Sequence, residues 1–292
     1  MTDRPDDALG GTPWEDRQAR QSDSRKAEGM ANLPELNTAV AHEARVYDYW
    51  LGGKDNYAAD RELGDAMTRA IPTLPLMARA NRAFMERVVR HVVAEGVTQF
   101  LDIGTGIPTS PNLHEVAQRI EPSSRVVYVD NDPLVLAHAR ALMHSDPAGA
   151  TAYIHADLTD PDTILADPLF TGTLDLTRPV ALTMVAVLMY FTDDSAPERW
   201  VMTLLDALAP GSLVVISHPT ADFDPPAVAA AVDAAAAAGI TLVCRDRIGV
   251  ETLFGGATLL DPGVVPLAAW RPDMPPSDPH AAYYYAGLAR KK

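Results

Sequence analysis

Residues 98–106 read TQFLDIGTG: the short apolar run Thr98 to Ile103 hands over to Asp102-Ile103-Gly104-Thr105-Gly106. A strand running into glycines marks a place where an α/β chain turns from strand to helix. In open α/β sheets, ligands bind outside the carboxyl ends of the strands, at the switch point. Gly104 and Gly106 allow the sharp turn and let a ligand lie against bare main chain. Alone the pattern is weak, because a tight turn with no ligand reads the same way. Its weight comes from what surrounds it.

Downstream, apolar runs and helical patterns alternate. Arg125 to Val129, Thr151 to His155, Val180 to Met189 and Ser212 to Ser217 are strand-like. Helices are predicted from about Asn112 to Ile120, from Pro133 to Met143 and from Pro197 to Leu208, the last stopped by Pro210-Gly211. Strands that are apolar throughout, interleaved with helices, predict a parallel sheet covered on both faces. Beyond lie an alanine-rich helix (Ala227 to Ala238), a helix near Gly249 to Phe254, and two β-like runs, Thr258 to Trp270 and Ala281 to Leu288. Pro262 and Gly263 break the first of these runs. Upstream, Phe84, Val88, Val89, Val92 and Val93 form one apolar face of a helix from Asn81 to Glu95, closed by Gly96. Before it, Ala44 to Arg61 reads ARVYDYWLGGKDNYAADR, too polar for a core helix and too aromatic for a linker.

Composition bounds the rest. The 292 residues carry a formal charge of −15 and are 47% hydrophobic. Single cores stop growing near roughly 250–300 residues, so one large decorated domain is expected. Nucleic-acid binders need clustered Lys and Arg to neutralise phosphates. An acidic chain is therefore not expected to bind nucleic acid or an anionic membrane; a small neutral or cationic molecule is the expected partner, with a homodimer left open. Cys244 is the single cysteine, which excludes an internal disulfide. The first residues lack a secretory h-region, and Pro179 to Phe191 falls short of the roughly 20 residues that span a bilayer. A cytoplasmic protein is expected. Residues 1–32 read as a disordered tail, and Met30 is a second candidate start.

Two further acids follow strand ends. Asp130, with Asn131 beside it, succeeds Arg125 to Val129, where a carboxylate can accept both hydroxyls of a ribose; Asp132-Pro133 is also a good helix start. Asp157, between Ala156 and Leu158, follows the third strand, where it can accept from the exocyclic amine of adenine. The joint placement resembles the class I S-adenosylmethionine-dependent methyltransferases. That resemblance implies a Rossmann-like, doubly wound, mostly parallel seven-stranded α/β sheet, with a helical N-terminal cap over 33–96 and the methyltransferase domain over 97–292. It implies S-adenosylmethionine as cofactor, held by Asp102, Gly104, Thr105, Gly106, Asp130, Asn131, Asp157 and Leu158. A pyrophosphate would want a third small residue and an open helix N-terminus. Here Thr109 stands at that position, between Pro108 and Pro111, and each proline removes a main-chain donor.

ARVYDYWLGGKDNYAADR, ANRAFMERVVR, FLDIGTGIPT, VVYVDNDPLVLAHAR and DPGVVPLAAWRPD together look like a bacterial methyltransferase family of unassigned substrate. Relatives tend to carry a Leu-His-Phe-like sequence after the fourth strand, where this chain has Leu188-Met189-Tyr190-Phe191. Met189 cannot act as a base. His218 and Tyr190 are the catalytic candidates, each with a structural alternative: a hydrogen-bonded core histidine and a pocket wall. The Arg45 to Arg61 block reads as a lid hinged at Gly52-Gly53, with Tyr47, Tyr49, Trp50, Lys54 and Tyr57 toward the substrate, or as a packed cap. Asp193-Asp194 read as the start of the next helix, and no metal is assigned. The expected activity is methylation of O, N or C of a small organic acceptor, with the aromatic block pointing to an aromatic one. A nicotinamide-dependent oxidoreductase and a non-catalytic nucleoside-binding protein are the rivals.

Overall fold

Phe100 and Leu101 are adjacent on β1 (Gln99–Ile103), both fully buried, yet they enter different apolar clusters on opposite faces of the sheet. A strand covered on both faces needs apolar side chains at successive positions. The computed structural model describes residues Asn37–Lys292, which form one compact unit; the expected tail over 1–32 lies outside the described residues.

On one side β1 pairs in parallel with β2 (Arg125–Asp130), and β2 with β3 (Ala150–His155). On the other it pairs with β4 (Ala181–Val185), and β4 with β5 (Leu213–Pro219). The remaining strands are β6 (Thr258–Leu259), β7 (Val265–Pro266) and β8 (Tyr284–Arg290). β8 lies antiparallel to β5 and carries β6 and β7, giving the order β3-β2-β1-β4-β5-β8-β6. The sheet has eight strands because the run Thr258 to Trp270 turns at Gly263 (φ 81°) and supplies two short strands in place of one. Strand order reverses between β1 and β4, the switch point at which a crevice opens.

The helices are α1 (Glu43–Leu51), α2 (Ala58–Ala70), α3 (Leu74–Ala94), α4 (Leu113–Ile120), α5 (Pro133–Leu142), α6 (Pro161–Ala166), α7 (Pro168–Thr173), α8 (Pro197–Asp206), α9 (Pro225–Ala237) and α10 (Arg247–Thr252). Helices α1 to α4 and α9 cover one face; α6 to α8 and α10 cover the other. α3 begins at Leu74 rather than Asn81, because Leu74, Met77 and Ala78 extend its buried stripe and Pro75 is tolerated in a first turn. Phe84, Val88, Val89 and Val92 of α3 have no exposure and share a cluster with Phe100 and Val126. Phe84 meets Trp270 edge-on at 5.3 Å. The stretch read as a cap thus packs directly on the sheet, and no boundary between compact units falls at residue 97 among the described residues.

β4 ends at Val185, short of the expected Met189. Ala186 takes φ 59°, and Leu188–Tyr190 form a 3-10 turn. The Ala186 amide donates to Ser217 O and Ser217 Oγ, both at 3.1 Å. Those bonds hold a left-handed conformation that costs a non-glycine residue about 1–3 kcal/mol. Among the described residues, no helix is long and apolar enough to cross a membrane.

Candidate functional site

A cavity of about 300 Å³ opens at the carboxyl ends of β1, β2 and β4, under α1 and α3. Its floor is the turn after β1. Gly104 (φ 68°) and Gly106 (φ 65°) both occupy the left-handed region, but for different spatial reasons. A Cβ on Gly104 would lie 2.4 Å from Val187 Cγ2, whereas nothing stands within 4 Å of one on Gly106. The first glycine is required by packing, and the second leaves bare main chain. Thr105 lines the same cavity, and its hydroxyl is buried with no hydrogen-bond partner.

Three carboxylates converge here, as the spacing predicted. Asp130 accepts Gly106 N–H on Oδ2 and Asp132 N–H on Oδ1, each at 2.9 Å. An ionised carboxylate offers about four acceptor sites, so each oxygen retains one. Burial raises the Asp130 carboxyl above its ordinary range, and the two amides pull it back. Asp132 caps α5 through Leu134 N–H at 2.8 Å, so the cap and the free carboxylate are separate residues.

Asp157 is tied down by Thr159 N–H (2.8 Å) and Thr159 O–H (2.7 Å) on Oδ1, and by Asn131 Nδ2 (2.8 Å) on Oδ2. Burial pushes its carboxyl up, but these hydrogen bonds outweigh it and leave the group below its usual range. Leu158 is buried beside it in the cavity wall. Asp102 accepts the Thr183 hydroxyl, and burial pushes its carboxyl up to about 6 against the pull of Thr183 and Arg82.

The roof supplies residues that the sequence reading did not single out. Asn81 donates to Tyr47 Oη at 3.0 Å and accepts the Ser217 hydroxyl at 2.7 Å. Tyr47 donates onward to Ala78 O at 3.1 Å. This chain of bonds joins α1, α3 and β5 above the cavity. Arg82 donates to Thr109 O at 2.7 Å and to Pro111 O, pinning the segment after the glycines. The signal for Asn81 was present: it stands in line with Phe84, Met85 and Val88, a polar residue on an otherwise apolar stripe.

Of the residues read as lid or substrate contacts, Tyr47 reaches the cavity. Tyr49 donates to Asp65 at 2.8 Å on the exposed side, Lys54 is exposed, and Tyr57 packs under the Arg45 guanidinium at 5.4 Å. Gly52 (φ 83°) ends α1, its amide donating to Tyr49 O at 3.0 Å, and a Cβ on Gly53 would strike Asp48 Oδ1 at 1.9 Å. Both glycines are bound into structure, and in this conformation the block packs as a cap. Its anchor is Asp60, fully buried, which accepts Arg45 Nε (3.1 and 3.0 Å), His42 N–H (2.9 Å) and Tyr57 N–H (2.8 Å).

The two catalytic candidates also separate. His218 is fully buried on β5 and lies outside the cavity lining. Its Nε2 lies 2.8 Å from Arg245 Nη1, and its Nδ1 lies 2.8 Å from Pro219 O. A guanidinium can only donate, so Nε2 accepts and Nδ1 carries the proton. Burial lowers the imidazole to about 4. With its one lone pair engaged, His218 holds Arg245 in place and is no base. Arg245 in turn pairs with Asp193 at 2.7 Å. Tyr190 does line the cavity; burial, with Glu43 and Tyr47 nearby, raises its phenol well above 10. It is a neutral wall.

The model of the S-adenosyl methyltransferase family matches residues 30–292. The chain belongs to that family. A DUF574 family protein from Streptomyces avermitilis MA-4680 shares 47% identity with this methyltransferase, over 88% of this chain and 99% of that one, at a TM-score of 0.85. A candidate methyltransferase from Thermobifida fusca YX shares 41%, over 89% and 98%, at 0.81. The magnesium protoporphyrin IX methyltransferase of Synechocystis PCC 6803 shares the fold at 11% identity and a TM-score of 0.50, over 85% and 93%. A comparison with the curated proteins finds none that matches. S-adenosylmethionine is the cofactor of this methyltransferase. The cavity fits it: an unpartnered Thr105 hydroxyl, a bare Gly106 and carboxylates with free acceptor sites suit a cationic nucleoside. A dinucleotide fits poorly. Glu115 in the first turn of α4 takes up Asn112 N–H (2.7 Å) and Ser110 O–H (2.9 Å), so the helix N-terminus is already capped by a carboxylate and offers an anion less.

Proposed function

We propose that this methyltransferase transfers its methyl group to a small organic acceptor. The charge of the cavity lining carries the reading. Glu43, Asp48, Asp102, Asp130 and Asp157 line it against Arg82 and His42, a predominantly acidic field that repels a phosphate backbone. α1 lies over the cavity as a roof anchored by Asp60, which suits a compact acceptor better than a polymer.

In this reading Asp130 accepts the ribose hydroxyls at its two free acceptor sites, and Asp157, steadied by Asn131, accepts the adenine amine. Asp102 faces the cationic amine and sulfonium. Gly104, Thr105 and Gly106 lie against the nucleoside, and Leu158 flanks the base. The cofactor supplies an electrophilic methyl carbon with a good leaving group. What the chain supplies is alignment and exclusion of water, an effect that can account for roughly 7–11 kcal/mol of a barrier. The test is transfer of a tritiated S-methyl group in a metabolite extract. Label should enter organic-extractable small molecules. Label entering protein or nucleic acid instead would refute the proposal.

A further inference from the structure

A second cavity of about 60 Å³ lies beside the first, and α1 separates the two. Glu43, Tyr47 and Leu51, spaced four apart, face the larger cavity, while Val46 and Trp50 face the smaller. Residues four apart share a helix face. Glu43 and Tyr190 line both cavities and so stand at their junction. The remaining walls of the smaller cavity are uncharged, with Met67, Met77, Met189 and Tyr284 among them. Burial pushes the Cys244 thiol up to about 12 and the Tyr284 phenol well above 10, so both stay neutral. Glu43 is thus the one acidic or basic side chain among the described residues lining this cavity. Its side chain keeps 35% exposure, which places it at the mouth.

We propose that the smaller cavity receives the methyl acceptor, and that the acceptor is a compact aromatic ring whose neutral nitrogen nucleophile faces Glu43. This rests on the methyltransferase reading above. At roughly 10–15 Å³ per water-sized sphere, the cavity holds about five such spheres, close to a single ring. Trp50, Tyr190 and Tyr284 offer aromatic walls, and three thioethers add favourable sulfur–ring contacts.

The charge argument selects the nucleophile. The nitrogen lone pair forms the N–C bond as the C–S bond breaks, its electron pair remaining on sulfur. Positive charge passes from the sulfonium to the acceptor nitrogen, whose N–H proton then leaves to the Glu43 carboxylate and on to solvent. The products are a neutral N-methyl amine and a thioether. A cation forming among apolar walls is costly unless a counter-charge waits there. A carboxylate that meets charge only as it develops favours the transition state over the ground state. An anionic acceptor would meet the Glu43 carboxylate at the junction of the cavities and be disfavoured. A phenol would first have to lose a proton to a carboxylate that is a far weaker base than phenolate.

The probes are aniline, phenol and benzoate, titrated into protein saturated with S-adenosylhomocysteine and carrying 13C-methyl methionine. Aniline should shift the Met67, Met77 and Met189 methyls saturably and bind at least about tenfold more tightly than benzoate, the two probes differing by one full charge. Leu242→Trp, or Ile240→Phe should the first misfold, fills the cavity from an irregular segment and should abolish these shifts. Glu43→Gln should narrow the aniline-over-benzoate preference below about threefold, whereas a purely structural role would weaken both probes alike. With tritiated cofactor, aniline should be methylated faster than phenol. In protein that binds S-adenosylhomocysteine, three unresponsive methyls, benzoate binding as tightly as aniline, or faster phenol methylation would overturn the inference. Failure to bind S-adenosylhomocysteine would instead overturn the cofactor reading.

Discussion

Lowering the pH from 7.5 to 5 protonates Asp102 in the free protein, because burial holds its carboxyl up at about 6. Thr183 and Arg82 pull it down and Asp130 pushes it up, so the value belongs to the assembled site. A cationic amine settling nearby favours the charged form. Opposite charges within about 4–6 Å lower a carboxyl by roughly 1–3 units, which brings Asp102 to about 4 in the complex. At pH 5 the free carboxylate is then about nine-tenths protonated and the bound one about one-tenth. Affinity for S-adenosylhomocysteine should fall about tenfold between pH 7.5 and pH 5, about 1.4 kcal/mol, with about 0.8 proton released on binding at pH 5. Calorimetry in two buffers of different ionisation enthalpy reads both quantities. Asp102→Asn should bind more weakly at pH 7.5 and lose most of the pH dependence. Equal affinity at both pH values in the unaltered protein would refute the placement of Asp102 against the amine. A tenfold change that survives in Asp102→Asn would refute it as well, and would move the titration to another acid such as Asp130.

Asp130→Ala removes two charge-assisted hydrogen bonds to ribose, at roughly 1.5–3 kcal/mol each, so affinity for S-adenosylhomocysteine should drop by about two orders of magnitude or more; unchanged affinity in a folded variant would sink the ribose assignment. Gly52→Pro deletes the amide bonded to Tyr49 O and demands φ near −65° where the chain has 83°, so melting temperature and activity should fall together; lost turnover at an unchanged melting temperature would restore the hinged lid. His218→Gln should lower the melting temperature and leave cofactor affinity within about twofold, since the side chain sits outside the cavity; a large loss of kcat at unchanged stability would reinstate it as the base. In an Asp102→Asn background, which removes an opposing titration, His218 should make stability fall as the pH drops from about 6.5 toward 4, because the unfolded imidazole protonates first; His218→Gln should flatten that slope in urea titrations.

The parallel core was legible because its signal is local. Runs such as Phe100-Leu101 and Val126 to Val129 are apolar, and each meets its glycine or acid at the strand end. Asp102, Asp130 and Asp157 could therefore be placed from spacing alone. What spacing could not show is how each carboxylate is occupied. Asp130 spends half its acceptor capacity on Gly106 and Asp132, and Asp157 depends on Asn131 from the neighbouring loop. His218 looked available because it follows a strand, yet its role is decided by Arg245, 27 positions away. Helices α6 and α7 escaped notice since six residues hold too few turns to show a 3.6-residue period. The aromatic block misled for a related reason: paired glycines suggest a hinge until the side chain of Asp48 is seen filling the space over Gly53.

Fixing α1 as a cap has a consequence for both cavities. Asp60 accepts donors on both carboxylate oxygens, from Arg45, His42 and Tyr57, so this buried ion pair is well satisfied. Removing one partner from such a pair costs about 3–5 kcal/mol, because the other charge is left buried and alone. The pair joins the first turn of α1 to the first turn of α2, and thereby sets the position of Glu43 at the start of α1. Anchored this way, α1 roofs the larger cavity and forms a wall of the smaller one. Discrimination between acceptors then falls to what the wall presents, a single carboxylate at the junction, and not to a conformational change that only the correct acceptor could trigger.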